Sequence, residues 1–165
     1  TGVDVPAAFD SALRAPAITL HKDNTVAEHS GQDEQESVVL VRPVAGLSYV
    51  EFLLEAGEGI SVGVALPTIS LDANASDSPV AWMYGSASVI YHNSVDLAVC
   101  SRYSKGAVIG VAYNDHTGMA TFYKNGGRQA AVTGVPKGSV FVLNTVFQGT
   151  RVRIVSGRTG PPEKK

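Results

Sequence analysis

Cysteine is nearly absent. Cys100 stands alone in 165 residues, so no internal disulfide can form. Secreted β-domains of this size commonly hold at least one disulfide, and an intracellular setting, cytoplasmic or nuclear, is expected. No apolar run approaches the roughly 20 residues that a membrane-spanning helix needs, and no signal-peptide pattern opens the sequence. Clustered cations are missing as well. Thirteen Lys and Arg against fifteen Asp and Glu leave a formal net charge of −2, which gives no general attraction to nucleic acid or acidic lipid. Helical periodicity is scarce. The triplet Asn74-Ala75-Ser76 has the form of a glycosylation acceptor, a pattern that arises often by chance.

Apolar residues and glycine are what the sequence does contain. Hydrophobic residues make up 44% of the chain, enough for the core of one domain without staples. Seventeen glycines separate short runs rich in Val, Ile, Phe and Tyr, the mark of many short strands. Residues 17–28 predict a first hairpin, with Ile18 and Leu20 on one face and Lys22-Asp23-Asn24 as the turn before Val26. The polar residues 28–36 predict a loop. Strands are expected at 38–41 and at 49–55, where Val50, Phe52 and Leu54 oppose Tyr49, Glu51, Leu53 and Glu55. Ile60, Val62 and Val64 share a face, while Ser61, Gly63 and Ala65 leave the other nearly bare, so that a second layer or a loop can approach closely.

Residues 67–79, bounded by prolines, predict a second long loop, and both loops hold so little apolar matter that they are expected to vary freely. Residues 119–124 alternate before Asn125-Gly126-Gly127, the strongest local hairpin signal in the chain. Further strands are expected at 140–147 and 152–155, giving about a dozen in all and an all-β sandwich of two antiparallel sheets. Residues 1–16 read as an N-terminal extension packing on the domain, 17–157 as the sandwich, and 158–165 as a polar linker leaving it. The chain starts at Thr1 rather than at methionine, and a segment of a larger protein is expected.

The order of segments resembles the SPRY domain family. Ala17-Ile18-Thr19-Leu20-His21-Lys22-Asp23-Asn24-Thr25-Val26 is similar to its opening hairpin, Tyr49-Val50-Glu51-Phe52 to its aromatic-x-Glu strand, and Gly59-Ile60-Ser61-Val62-Gly63-Val64-Ala65 to the glycine-valine strand that follows. Trp82-Met83-Tyr84-Gly85 and Ile90-Tyr91-His92-Asn93 resemble the next aromatic pair. Lys105-Gly106-Ala107-Val108-Ile109-Gly110-Val111-Ala112, continuing through Gly118 to Phe122-Tyr123-Lys124-Asn125-Gly126, is the most specific block. Ala107 departs from the acidic residue common after that glycine, and the loop from Ser30 to Glu36 is unmatched. The resemblance spans residues 17–155.

It implies a bent two-sheet sandwich that binds a peptide or protein surface through loops at one end. The family's peptide groove maps to Glu28, His29 and Ser30, to residues 68–74 with Thr68, Asp72 and Asn74, and to Phe147 and Gln148. Trp82 and Tyr84 are further groove candidates, although adjacent strand aromatics also suit a core.

The sequence holds no motif for catalysis. Glu51 and Glu55 share a strand face, but four residues of strand separate their α-carbons by about 13 Å, too far for an ordinary acid and nucleophile pair. Residues 72–77 copy the first ligands of a calcium loop and lack its sixth-position glycine and its bidentate acid. His21, His29, His92 and His116 show no zinc spacing. Cys100 with His92 lacks any supporting nucleophile motif, and the glycine pairs lack a phosphate-loop pattern. Arg151 and Arg153 share a face, read as solvated. No catalytic residue, no metal and no cofactor are expected; the partner is a protein or peptide, without nucleic acid or membrane, and the isolated domain is expected to be monomeric. The rival reading is a sugar-binding lectin using Trp82 with His92 and Asn93, without the galectin His-x-Asn-x-Arg pattern. A domain with no ligand groove is the third.

Overall fold

The computed structural model describes residues 2–161. Fourteen strands run in chain order: β1 (Phe9–Arg14), β2 (Ile18–His21), β3 (Val26–His29), β4 (Ser37–Val41), β5 (Tyr49–Ala56), β6 (Ser61–Ala65), β7 (Ala81–Gly85), β8 (Val89–His92), β9 (Val95–Val99), β10 (Val108–Asn114), β11 (Met119–Lys124), β12 (Gly127–Val132), β13 (Val140–Thr145) and β14 (Arg151–Arg158). The only described helix is a single 3-10 turn, Ala75–Asp77. Two seven-stranded antiparallel sheets result, ordered β1-β4-β13-β6-β7-β8-β9 and β12-β11-β10-β5-β14-β3-β2.

Alternation in the sequence decides which side chains meet between the sheets. On β5, Val50, Phe52 and Leu54 point inward and are at most 1% exposed, beside Val62 and Val64 of β6 and Phe122 of β11. Phe9 packs its ring 6.2 Å from that of Phe52. The stretch expected as an extension thus supplies an edge strand, pairing Phe9 with Val41 and Arg14 with Val39. At the other boundary Arg158 ends β14, and residues 162–165 of the expected linker lie outside the described residues. Residues 2–4 lie against 158–159: Val3 N donates to Thr159 Oγ1 (2.8 Å), and Thr159 N to Val3 O (2.9 Å).

The bare face of β6 is filled from outside. Ala65 joins Val38, Leu40, Met83 and Val142 in a second apolar cluster on the outer face of its sheet, and Ile69 and Ala75 of residues 67–79 cover it. That loop was expected to have little to bury; in fact Ile69 is 5% exposed and Ala75 is fully buried. Its backbone is tied down as well, since Val38 N donates to Leu71 O and Ala75 N to Asn144 Oδ1 (2.6 Å). Gly63 sits where only hydrogen fits, because a Cβ there would fall on the Trp82 carbonyl oxygen. Both outer turns named in the sequence occur. Lys22, Asp23 and Asn24 all have positive φ, and Asn125 (φ 49°) and Gly126 (φ 84°) join Lys124 to Gly127.

Gly63→Ala is therefore expected to lower folding stability by about 3 kcal/mol, because the overlap is with backbone on a neighbouring central strand and cannot be relieved by a rotamer. Urea unfolding at fixed m-value tests it, and a loss below about 1 kcal/mol would show that β6 and β7 can separate cheaply.

Candidate functional site

Strand pairing brings together the first and third of the three predicted loop regions. β3 pairs with β14, and β4 with β13, so residues 30–36, which join β3 to β4, lie beside residues 146–150, which join β13 to β14. They are fastened to each other. Gln148 N donates to Asp33 Oδ1 (2.8 Å), Gly149 N to His29 O (2.9 Å) and His29 N to Thr150 O (2.8 Å). The Phe147 ring covers Gly59 (φ +69°) and Thr150 covers Gly57 (φ +88°), where any side chain would collide with them. Around this clasp Ser30, Gln32, Asp33, Glu34, Gln35 and Gln148 are exposed and Phe147 is half-buried.

His29 faces inward, against the expectation that it contacts a partner. It is fully buried, with Nε2 2.9 Å from Gln32 O and Nδ1 2.7 Å from Thr145 Oγ1. A carbonyl only accepts, so Nε2 carries the proton given to Gln32 O, and in the neutral ring the Thr145 hydroxyl donates to Nδ1. The imidazole is thus a brace that shapes the loop from below.

Glu28 is not in the loop either. It lies half-buried on the outer face of its sheet, 2.8 Å from His21 Nε2 and 3.9 Å from Arg151 Nη1, while Arg151 and Arg153 each approach Glu55 at 3.2 Å. Glu51 accepts from the Tyr49 hydroxyl (2.8 Å). Glu51 and Glu55 are thus both committed to neighbours, as are Arg151 and Arg153.

The middle loop region lies apart, across the outer face of the other sheet. Thr68, Asp72 and Asn74 are exposed there, and Asn74 Oδ1 accepts from Ser76 N (3.0 Å), capping the 3-10 turn. At the margin of the clasp, Glu36 feels its charge. Burial first, then the charge of Asp77, raises the Glu36 carboxyl above its ordinary 4.5, while Asn144 pulls it back; one Glu36 oxygen is buried without a partner.

Trp82 (6% exposed) and Tyr84 (fully buried) are core residues, not groove residues. The Trp82 ring stacks on His92 at 3.9 Å and 7°, so neither of its faces is offered to a sugar. This removes the site on which the lectin reading rested. Burial holds the Cys100 thiol above its usual range, opposite to what an activated nucleophile needs. Among the described residues no group of three His, Cys, Asp or Glu side chains is placed to hold a metal ion, and no helix is long and apolar enough to cross a membrane. At the far end of the sandwich an open groove of about 800 Å³ is lined by Leu47, Tyr113, Met119 and Tyr123, among others, and by none of the predicted site residues.

Solved structures share this architecture. The SPRY domain of human HERC1 superposes with a TM-score of 0.75 over 95% of this chain and 99% of that one, at 19% identity. A second human SPRY domain gives 0.73 over 84% and 94% at 20% identity, and the TRIM65 PSpry domain 0.71 over 90% of each at 15%. The fold is that of a SPRY domain. The sequence matches no family model and no curated protein. The departure at Ala107 has a plain cause in this SPRY fold: the residue is 7% exposed and packs on the core, where an acid would be desolvated. Asp33, which holds Gln148, escaped the sequence reading because nothing marks one acid among several in a polar loop.

His29→Ala is expected to lower stability by about 2 kcal/mol, since it empties a fully buried site and leaves the buried Thr145 hydroxyl without its partner. Glu36→Gln should act oppositely and with pH. A carboxyl whose folded value is raised costs stability as pH climbs through that value, so the variant should melt with wild type below pH 4 and above it at pH 7. Equal melting shifts at both pH values would place the cost of Glu36 elsewhere.

Proposed function

We propose that this chain is a protein-interaction module that captures a peptide or protein surface through the loop end built from residues 30–36 and 146–150, and that it carries out no chemistry of its own. One observation carries this reading. Two connections that have no sheet pairing of their own are held together by the Gln148–Asp33 and Gly149–His29 hydrogen bonds over a buried His29, leaving polar side chains around the half-buried Phe147. Loops fastened in this way present a fixed surface, which reduces the ordering cost of binding. The SPRY fold of human HERC1 and TRIM65 domains supports the same kind of role. Ser30, Phe147 and Gln148 remain as binding residues from the sequence reading, joined by Glu34 and Gln35; Thr68, Asp72 and Asn74 form a separate, secondary surface. Partner chemistry is protein, in a cellular interior.

Captured partners identified by proximity labelling in cells and then purified provide the test. Against such a partner, Glu34→Ala with Gln148→Ala, and Phe147→Ala separately, are expected to weaken binding at least tenfold if one residue is an anchor worth about 2 kcal/mol. The double variant should melt as wild type does. Full binding by all loop variants, with loss on Met119→Lys in the far groove, would move the site to the other end.

A further inference from the structure

The fold gathers cations that the sequence scatters. From Leu97 to Pro161 the chain holds one acid, Asp115, in the turn that follows β10 and so at the end of the sandwich with the open groove. At the other end, where β10 begins, two turns lie together: the tip of the β11–β12 hairpin and residues 100–107, which join β9 to β10. Four hydrogen bonds fasten them. Lys124 Nζ donates to Arg102 O (2.8 Å), Ser101 N to Gln129 Oε1 (2.9 Å), Asn125 N to Val108 O (2.7 Å) and Val108 N to Asn125 Oδ1 (2.9 Å). Arg102, Lys105, Lys124 and Arg128 are thereby brought onto one surface.

None of these four meets a carboxylate among the described residues, whereas Arg151 and Arg153 are answered by Glu55 on the strand next to β10. Arg102, Lys105 and Arg128 are exposed. The half-buried Lys124 donates to a backbone carbonyl, which holds its charge in place without neutralising it. The turns themselves are bare: a Cβ on Gly106 (φ +94°) or Gly126 (φ +84°) would have nothing within 4 Å, so a ligand can settle on both. The charges are also spread out. Arg128 pairs with Tyr123 and shares its face of the sheet, while Lys124, the next residue, points to the other side. A single phosphate calls for cations that converge on one point; separated cations answer a row of single charges.

We infer that this surface binds a short acidic segment of a polypeptide, a few Asp or Glu residues laid across the two turns. The neighbouring clasp is what keeps the segment short. In the order β10-β5-β14 the patch lies two strand spacings, about 10 Å, from the strand that follows residues 146–150. Asp33, Glu34 and Glu36 lie in the connection fastened to those residues, and Glu58 in the turn that Thr150 covers. A nucleic-acid backbone or an acidic bilayer would run its phosphates over these carboxylates and be repelled. A peptide can change charge from one residue to the next. The site adjoins the loop end and does not rest on that end being a binding surface.

Fluorescence anisotropy of a labelled Gly-Glu-Glu-Asp-Glu-Glu-Gly peptide, titrated with the 165-residue chain, tests it. Because exposed ion pairs are weak, dissociation is expected on the order of 100 μM at about 20 mM salt, weakening about tenfold or more by about 200 mM. The same peptide with Gln in place of every acid should not bind. Lys105→Glu with Arg128→Glu, both at exposed positions and so expected to melt as wild type does, should weaken binding by about tenfold or more. Lys22→Glu with Lys137→Glu makes the same change of net charge at the other end of the sandwich, where both are exposed, and should weaken it less than about threefold. Amide shifts should move at residues 101–106 and 124–128. Absence of binding, equal loss in the two pairs of variants, or shifts confined to other residues would each overturn the proposal. So would loss on Phe147→Ala, which would put the segment on the clasp, or tighter binding of a short oligothymidylate or of a peptide whose one charge is a phosphoserine.

Discussion

The sheet that holds β6 is covered on both of its faces, and much of the rest follows from that. Its inner face meets the second sheet through Val62, Val64, Trp82 and Tyr84, while its outer face carries Ala65, Met83 and Val142 under residues 67–79. A sheet buried on both sides cannot be thick at its centre, which is why β6 alternates valine with serine, glycine and alanine and why the Trp82 backbone sits tight against Gly63. The connection from β6 to β7 thereby becomes a wall of the second core. Its polar surface residues are what remain once Ile69 and Ala75 have been set into it.

Most of the architecture was legible because strands announce themselves by period two and hairpins by Asn-Gly. Phe52, Val62 and Phe122 were placed in the core by alternation alone, and Asn125-Gly126 turns where its chemistry says. The strand at Val95–Val99 was not legible. Its hairpin turns through Asn93 and Ser94, both at positive φ and without glycine, and its own alternation is broken by Leu97. β1 was hidden in the same way, since Asp10-Ser11-Ala12 gives little pattern and Phe9 is its one fully buried residue.

The loop end was half legible. The family resemblance named Ser30, Phe147 and Gln148 together, and the pairing of β3 with β14 sets their loops side by side, but a resemblance does not say which way each side chain points. His29 and Glu28 are neighbours in sequence and part company because successive strand residues face opposite sides. The histidine turns under the loop to Thr145 and Gln32, and the glutamate turns out to Arg151. Trp82 and Tyr84 were ambiguous for the same reason, and the pairing of β7 with β6 and β8 settles them inward. The 67–79 stretch was misplaced because four scattered apolar residues in thirteen look negligible until the outer face that Ile69, Leu71 and Ala75 cover is seen.

Residues 2–4 and 158–159 run side by side, joined by the reciprocal hydrogen bonds of Val3 and Thr159. Chain passing into this sandwich and chain passing out of it therefore cross its surface within a strand's width of each other. A unit with that geometry can be grafted into a single surface loop of a host protein without prising the host's own elements apart, and it would stand out from the host on a two-stranded stalk. Its loop end, at the opposite end of β14, would then be carried clear of the body that bears it.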